Sequence, residues 1–341
     1  MRDAAATLMV AEAGEAAAAV ARMLAANAGI AGALADRLRR APPAAIVTCA
    51  RGSSDHAATF AKYLIETRTG TLVSSASPSV ASVYGAESRL AGTLCLAISQ
   101  SGASPDLLAT VDAAARAGAD VAALVNVATS PLAARADWLL PLHAGAERSV
   151  AATKSYIASL AAILQLVGAW APDGAPDLAA LPDVLAASWP LDWSPLVEAL
   201  VPARGLFVLG RGPGLGIAQE AALKFKETCG LHAEAFSTAE VRHGPMALIG
   251  PDMPLLVFRQ PDETAAGVDA VAAEMAARGG AVFVVGAAVP GAIALPAVPA
   301  DPALAPLGQV QSFYRAVAAL SVARGHDPDA PPHLAKVTET V

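Results

Sequence analysis

Apolar residues along this chain recur in two rhythms. Up to about residue 40 they keep helical spacing, with Leu8, Ala11, Val20, Met23 and Leu24 near steps of three and four and a basic end from Leu34 to Arg40. Pro42-Pro43 closes that segment, because proline lacks the backbone donor a helix interior needs. Beyond it, short β-rich runs alternate with helical stretches, the order of a parallel sheet covered by helices on both faces. The expected strands are 45–49, 94–98, 121–125 and 138–142, then 205–209, 255–258, 282–285 and 292–295.

The two sets are spaced alike. Val47 to Ile98 is 51 positions and Ile98 to Ala123 is 25, while Val208 to Phe258 is 50 and Phe258 to Val284 is 26. That agreement predicts a duplicated α/β unit. Each first strand also runs into a glycine-bearing turn, Arg51-Gly52-Ser53-Ser54 in one set and Arg211-Gly212-Pro213-Gly214 in the other. Residues 171–203, rich in Pro, Asp and Trp, read as the linker, reached through a helix expected over 153–170.

Composition narrows the class. At 341 residues the chain has room for two domains. Hydrophobic residues make up 55% and charged residues 16%, but much of the apolar excess is alanine, which favours helix. The longest weakly polar stretch, Tyr156 to Trp170, is too short for a bilayer and contains Gln165, so a buried helix is expected there and no membrane span. Arg2, Asp3, Glu12 and Glu15 interrupt any apolar leader, which predicts a cytoplasmic protein. Cys49, Cys95 and Cys229 are isolated thiols without metal or disulfide spacing, so they read as core residues and no metal site is expected. A net charge of −7 without a basic run argues against nucleic acid as partner. An anionic substrate must then be met by loops and a few cations.

Two loops suit that task. The run 94–98 opens into Ser99-Gln100-Ser101-Gly102-Ala103-Ser104 before a helix, so hydroxyls, a carboxamide and backbone donors gather at a helix N-terminus, where the dipole favours an oxyanion. Gly52-Ser53-Ser54-Asp55 forms a second such loop at the same carboxyl edge of the sheet, where open α/β sheets bind ligands. Such residues also make simple tight turns and N-caps, but two loops in one repeat favour a phosphate. The second repeat has Arg259-Gln260-Pro261-Asp262 instead, so phosphate binding belongs to the first.

Further along, Leu215, Ala218, Ala222, Phe225 and Cys229 form an apolar seam on one helix, and Glu220, Lys224 and Glu227 share its other side. Their spacing fits an exposed helix laced by weak ion pairs. It fits equally a partly desolvated Glu227 that moves protons. His243 stands before a Gly-Pro turn and could act as acid and base near neutral pH. Lys336, near the C-terminus, reads as a solvated tail residue or as an amine that meets a carbonyl.

Taken together, these segments resemble the double sugar isomerase (SIS) domain family, specifically the isomerase half of glucosamine-6-phosphate synthase and stand-alone SIS-type glucosamine-6-phosphate deaminases. The resemblance runs from about residue 44 to Val341. It rests on Gly52-Ser53-Ser54, Ser99-Gln100-Ser101-Gly102, Val150-Ala151-Ala152-Thr153-Lys154, Ala221 to Glu227, Arg242-His243-Gly244-Pro245 and Leu334-Ala335-Lys336. It implies an α/β fold of two tandem SIS domains, each a doubly wound parallel sheet in three αβα layers. The expected organisation is a helical lead-in at 1–43, SIS domains at 44–170 and 204–329 joined by the 171–203 linker, and a 330–341 tail entering the active site.

The resemblance also implies roles. Ser53, Ser54, Ser99, Gln100, Ser101 and Ser104 would hold a sugar phosphate, with Val150 lining the sugar site and Lys224 near its hydroxyls. Glu227 would shuttle a proton between C1 and C2, His243 would open the ring from a neighbouring subunit of a homodimer with a shared active site, and Lys336 would meet the carbonyl. Met1 is followed by Arg2 and a short helical lead-in, so no glutaminase half is expected. The implied reaction is isomerising deamination of glucosamine 6-phosphate to fructose 6-phosphate and ammonia, with no cofactor. A fructosamine-6-phosphate deglycase or another phosphosugar isomerase is the alternative, and a non-catalytic phosphosugar sensor is a second.

Overall fold

The structure, a computed structural model, describes residues 3–336. In chain order its elements are α1 (Leu8–Gly14), α2 (Ala16–Arg40), β1 (Ile46–Cys49), α3 (Ser53–Thr69), β2 (Val73–Ser75), α4 (Ser79–Ser82), β3 (Leu94–Ser99), α5 (Pro105–Arg116), β4 (Asp120–Val125), β5 (Trp138–Pro141) and α6 (Lys154–Trp170). Then follow α7 (Leu181–Ser188), α8 (Ser194–Leu200), β6 (Gly205–Gly210), α9 (Gly214–Cys229), β7 (His232–Ser237), β8 (Leu255–Phe258), α10 (Ala265–Ala277), β9 (Val282–Val285), β10 (Ile293–Leu295) and α11 (Ala305–Ala323).

The strands form two five-stranded parallel sheets, ordered β2-β1-β3-β4-β5 and β7-β6-β8-β9-β10. The two orders are the same, so the repeat visible in strand spacing is a repeat of topology. In each, the chain reverses its direction of winding between the first strand and the third, which leaves a crevice at the carboxyl ends of β1 and β3 and another at β6 and β8. Every residue of β3, β6, β8 and β9 is buried, because parallel strands are covered on both faces.

By internal contacts the described residues form two compact units. The first-sheet unit takes 18–147, 154–179 and 335–336; the second-sheet unit takes 3–17, 148–153 and 180–334. These units interleave along the chain. In the first-sheet unit, Cys95, Ala97, Val111, Val121 and Leu132 build the core between β3, β4 and α5. In the second, Leu209, Val257, Val268, Met275 and Val284 do the same for β6, β8, β9 and α10. Burial pushes the thiols of Cys49, Cys95 and Cys229 up to about 12, so they remain protonated and inert at neutral pH.

Three further differences from the sequence reading have physical causes. Strands β2 and β7 escape the hydrophobic pattern because they are edge strands: β2 buries only Val73, and β7 runs His-Ala-Glu-Ala-Phe-Ser. Residues 171–203 carry α7 and α8, which pack on α11 through buried Leu181, Val184, Leu185, Leu196 and Leu200. Helix α2 is long and apolar enough to cross a membrane by length and composition. It is instead tied to the first-sheet unit: Asn27 donates to the Pro141 carbonyl, Gln165 donates to that of Leu24, and Arg37 pairs with Asp120.

Two segments far apart in sequence, α1 and the turn at Asp329, meet in the second-sheet unit. The Asp329 carboxylate accepts from the N–H groups of Leu8 and Met9 at 2.9 and 2.8 Å, satisfying first-turn donors of α1 that the helix cannot. Helix α1 packs on α11, where Gln311 donates to the Ala13 carbonyl.

Candidate active site

In the first-sheet unit both hydroxyl loops lie at the carboxyl edge, at the β1–β3 crevice. Gly52 takes a left-handed φ of 54° to turn β1 into α3, and a Cβ there would meet open space. After β3, Ser99 Oγ accepts from the Gly102 N–H at 2.9 Å and Ser101 Oγ from that of Ala103 at 3.4 Å. Gly102 has φ 64°, and a Cβ would stand 2.2 Å from Ser130 Oγ, so only glycine fits this turn. Ser104 is the N-cap of α5 but makes no side-chain cap bond. Among the described residues, the hydroxyls of Ser54 and Ser104 and the carboxamide of Gln100 have no partner. Ser53 is half-buried at the first position of α3.

The second-sheet unit shows a different chemistry on α9. Lys224 Nζ lies 2.6 Å from Glu227 Oε2 and 3.2 Å from Glu220 Oε1, and the Tyr314 hydroxyl of α11 donates to the same Glu220 oxygen at 3.0 Å. Glu220 and Lys224 are fully buried, whereas the Glu227 side chain is 21% exposed. This overturns the reading of an exposed helix laced by weak ion pairs. Burial pulls the Lys224 ammonium down, but the Glu220 and Glu227 carboxylates outweigh it and hold the lysine protonated beyond its ordinary range. Glu227 is thus the end of the cluster that reaches solvent, with its other side on a buried cation.

His243 lies between two 3₁₀ turns after β7, exposed, with its backbone N–H donating to the Glu240 carbonyl. Its imidazole has no hydrogen-bond partner among the described residues, and the structure does not bond it to Glu227. Val150 is half-buried, its N–H donating to the Asp329 carbonyl of the second-sheet unit. Lys336 belongs to the first-sheet unit, with Nζ 3.3 Å from Glu147 Oε2. Residues 337–341 of the expected tail lie outside the described residues.

Three partners were missed in the sequence because each lies far from the residue it serves. Glu147, buried, accepts from the Ser155 N–H and hydroxyl as well as from Lys336. Tyr314 stands 94 positions from Glu220. Arg51 joins the two hydroxyl loops, its Nε and Nη2 donating to Asp106 Oδ2 at 2.9 and 2.7 Å across 55 positions. An arginine before a Gly-Ser turn and an aspartate in a helix's first turn were the available signals.

The family model described as SIS domain matches residues 41–169 and 199–317. The chain belongs to the SIS family. Its SIS repeats correspond to the two sheets, and its relatives place it with the phosphosugar isomerases of SIS type. The glutamine–fructose-6-phosphate aminotransferase (isomerizing) of Zymomonas mobilis is 35% identical over 269 residues, covering 72% of this chain and 44% of that protein. The chain spans about half the length of the curated relatives it matches. A provisionally named phosphosugar isomerase of Silicibacter pomeroyi DSS-3 superposes with a TM-score of 0.89 at 43% identity, covering 95% of this SIS chain and all of that one. The glucosamine-6-phosphate deaminase of Thermotoga maritima shares the SIS fold, with a TM-score of 0.72 at 18% identity over 94% of this chain and all of that one.

Proposed function

We propose that this SIS protein converts glucosamine 6-phosphate and water to fructose 6-phosphate and ammonia. The observation that carries the reading is the Lys224–Glu227 pair: a carboxylate anchored on a buried ammonium yet reaching solvent is built for proton transfer at a fixed point. The hydroxyls of Ser54 and Ser104 and the Gln100 carboxamide, without partners among the described residues, support a phosphate hold, with Ser53, Ser99 and Ser101 shaping the same loops. The same fold carries a deaminase of this substrate in Thermotoga maritima.

In the proposed sequence His243 assists ring opening. Glu227 takes the C2 proton and returns it to C1, giving the fructose imine, which water hydrolyses. Lys224 steadies the Glu227 carboxylate, Val150 lines the sugar, and Lys336 holds the open chain from its place beside Glu147. The exposed His243, with no imidazole partner among the described residues, suits donation to a neighbouring copy, so the reading includes a homodimer in the cytoplasm. Enolisation by a positioned carboxylate requires no cofactor.

Incubation with glucosamine 6-phosphate, with ammonia and fructose 6-phosphate quantified, tests the reaction. Turnover of a fructosamine 6-phosphate alone would replace it with deglycation, and phosphosugar binding without turnover of any phosphosugar would leave a sensor. Glu227→Gln is expected to keep ligand affinity while losing about 10²- to 10⁴-fold in kcat, the usual contribution of one acid–base group. Retained turnover would remove Glu227 from the proton-transfer role.

A further inference from the structure

The Arg51–Asp106 pair lies where the two hydroxyl loops meet, and its geometry is unequal. Asp106 is completely buried in the first turn of α5, where one carboxylate oxygen also accepts from the Leu107 N–H. The Arg51 side chain is 52% exposed. Its Nε and Nη2 donors converge on a single Asp106 oxygen, so the rest of the guanidinium fork faces away from the pair. Beside it Gly52 leaves open space over the N-terminus of α3.

Charge makes this placement informative. Within the stretches 51–55 and 99–106 the ionisable residues are Arg51, Asp55 and Asp106, so Arg51 is the one permanent cation against two carboxyl groups. Asp55 is half-buried and its carboxyl is pushed up, chiefly by burial, with His56 and Arg51 pulling the other way. Without Arg51, a phosphate dianion brought to these loops would meet two carboxyl groups with only neutral hydroxyls and helix N-termini in its favour. In a protein of net charge −7 no distant field compensates for that.

Resting on the phosphate assignment above, we infer that Arg51 is a further phosphate-binding residue, oriented by Asp106 and presenting the outer edge of its guanidinium to the phosphate of the sugar. Asp106 is the positioning residue. It removes rotamer freedom from a long side chain, so less is lost when the fork closes on a phosphate. The pair also fixes the spacing of the loops, making the site selective for a tetrahedral oxyanion over the sugar's hydroxyls alone.

Titration calorimetry and steady-state kinetics with glucosamine 6-phosphate, glucosamine and inorganic phosphate test this on the full chain. Arg51→Gln is expected to weaken phosphosugar and phosphate binding by about 10- to 100-fold, the scale of one or two charge-assisted bonds, with KM rising accordingly. Its kcat should stay within a few-fold and its response to unphosphorylated glucosamine should not change. Arg51→Lys should recover part of the loss, because the charge remains without the fork, and guards against a folding defect in the glutamine variant. Asp106→Asn should retain most phosphate affinity while lowering thermal stability. Unchanged affinity in Arg51→Gln, or equal loss in Asp106→Asn, would overturn the inference and leave a structural staple. Wild-type protein that binds neither phosphosugar nor phosphate would instead overturn the phosphate site itself, and this inference with it.

Discussion

Helices α3 and α9 occupy the same place in their respective sheets, each following the first strand and each ending on a left-handed glycine, Gly70 or Gly230. Their chemistry lies at opposite places along that shared frame. Helix α3 offers its N-terminus, where Gly52 leaves space and the Ser54 hydroxyl has no partner among the described residues. Helix α9 has that end closed: Gln260 packs so tightly on Gly214 that a Cβ would stand 2.0 Å from its amide nitrogen. Its polar residues sit further along, as the buried Glu220–Lys224 pair and the more open Glu227. One repeat thus supplies an open helix end for an anion, and the other a desolvated helix interior for charge. On the proposed function, holding a phosphate would fall to the first repeat and moving a proton to the second, tasks that need different dielectric surroundings.

The contrast can be broken most severely inside α9. Lys224→Met removes the cation set between two carboxylates and is expected to cost about 3 to 5 kcal/mol of stability, the usual penalty for breaking a buried ion pair. Denaturant unfolding checks it, and a loss below about 1 kcal/mol would show the cluster to be far better solvated than its burial indicates. Next come the two glycines. Gly102→Ala and Gly214→Ala should each cost about 1 to 3 kcal/mol through overpacking. Gly102→Ala should be the worse, because its φ of 64° adds backbone strain and its clash is with Ser130 and Val125. It should also weaken phosphosugar binding, which Gly214→Ala should spare; parallel melting and calorimetry on the two variants separate the outcomes. The smallest effect is expected at Gln260, whose amide is fully buried with neither polar atom bonded. Gln260→Met, close in volume, should change stability by less than about 1 kcal/mol or raise it, since it removes polar atoms whose desolvation nothing offsets. A clear loss would reveal a hydrogen-bonded water or ligand at that crevice.

What could be read from the sequence follows from how local each signal is. Strands β3, β4, β6, β8 and β9 are continuous apolar runs because both their faces are covered, and their spacing alone exposes the duplication. The hydroxyl loops are legible for the same reason, with Ser99 to Ser104 contiguous and placed after a strand. Glu220 and Lys224 mislead because charged residues normally face water. Their mutual ion pair, the Tyr314 hydroxyl brought from α11 and the packing of that helix on α9 make their burial tolerable. Arg51 and Asp106 are each unremarkable alone, and their meeting depends on two parallel strands setting two helix ends side by side. Long-range pairs of polar residues leave no periodicity, so the sequence carries them silently.

The bond between Asp329 and the first turn of α1 has a consequence for the order in which this protein is made. Residues 18–147 and 154–179 are available to build the first sheet while the ribosome is still working. The second-sheet unit must keep α1 waiting until α11 and Asp329 have emerged, more than 300 residues later. During synthesis, then, α1 is among the last of the described helices to find its place.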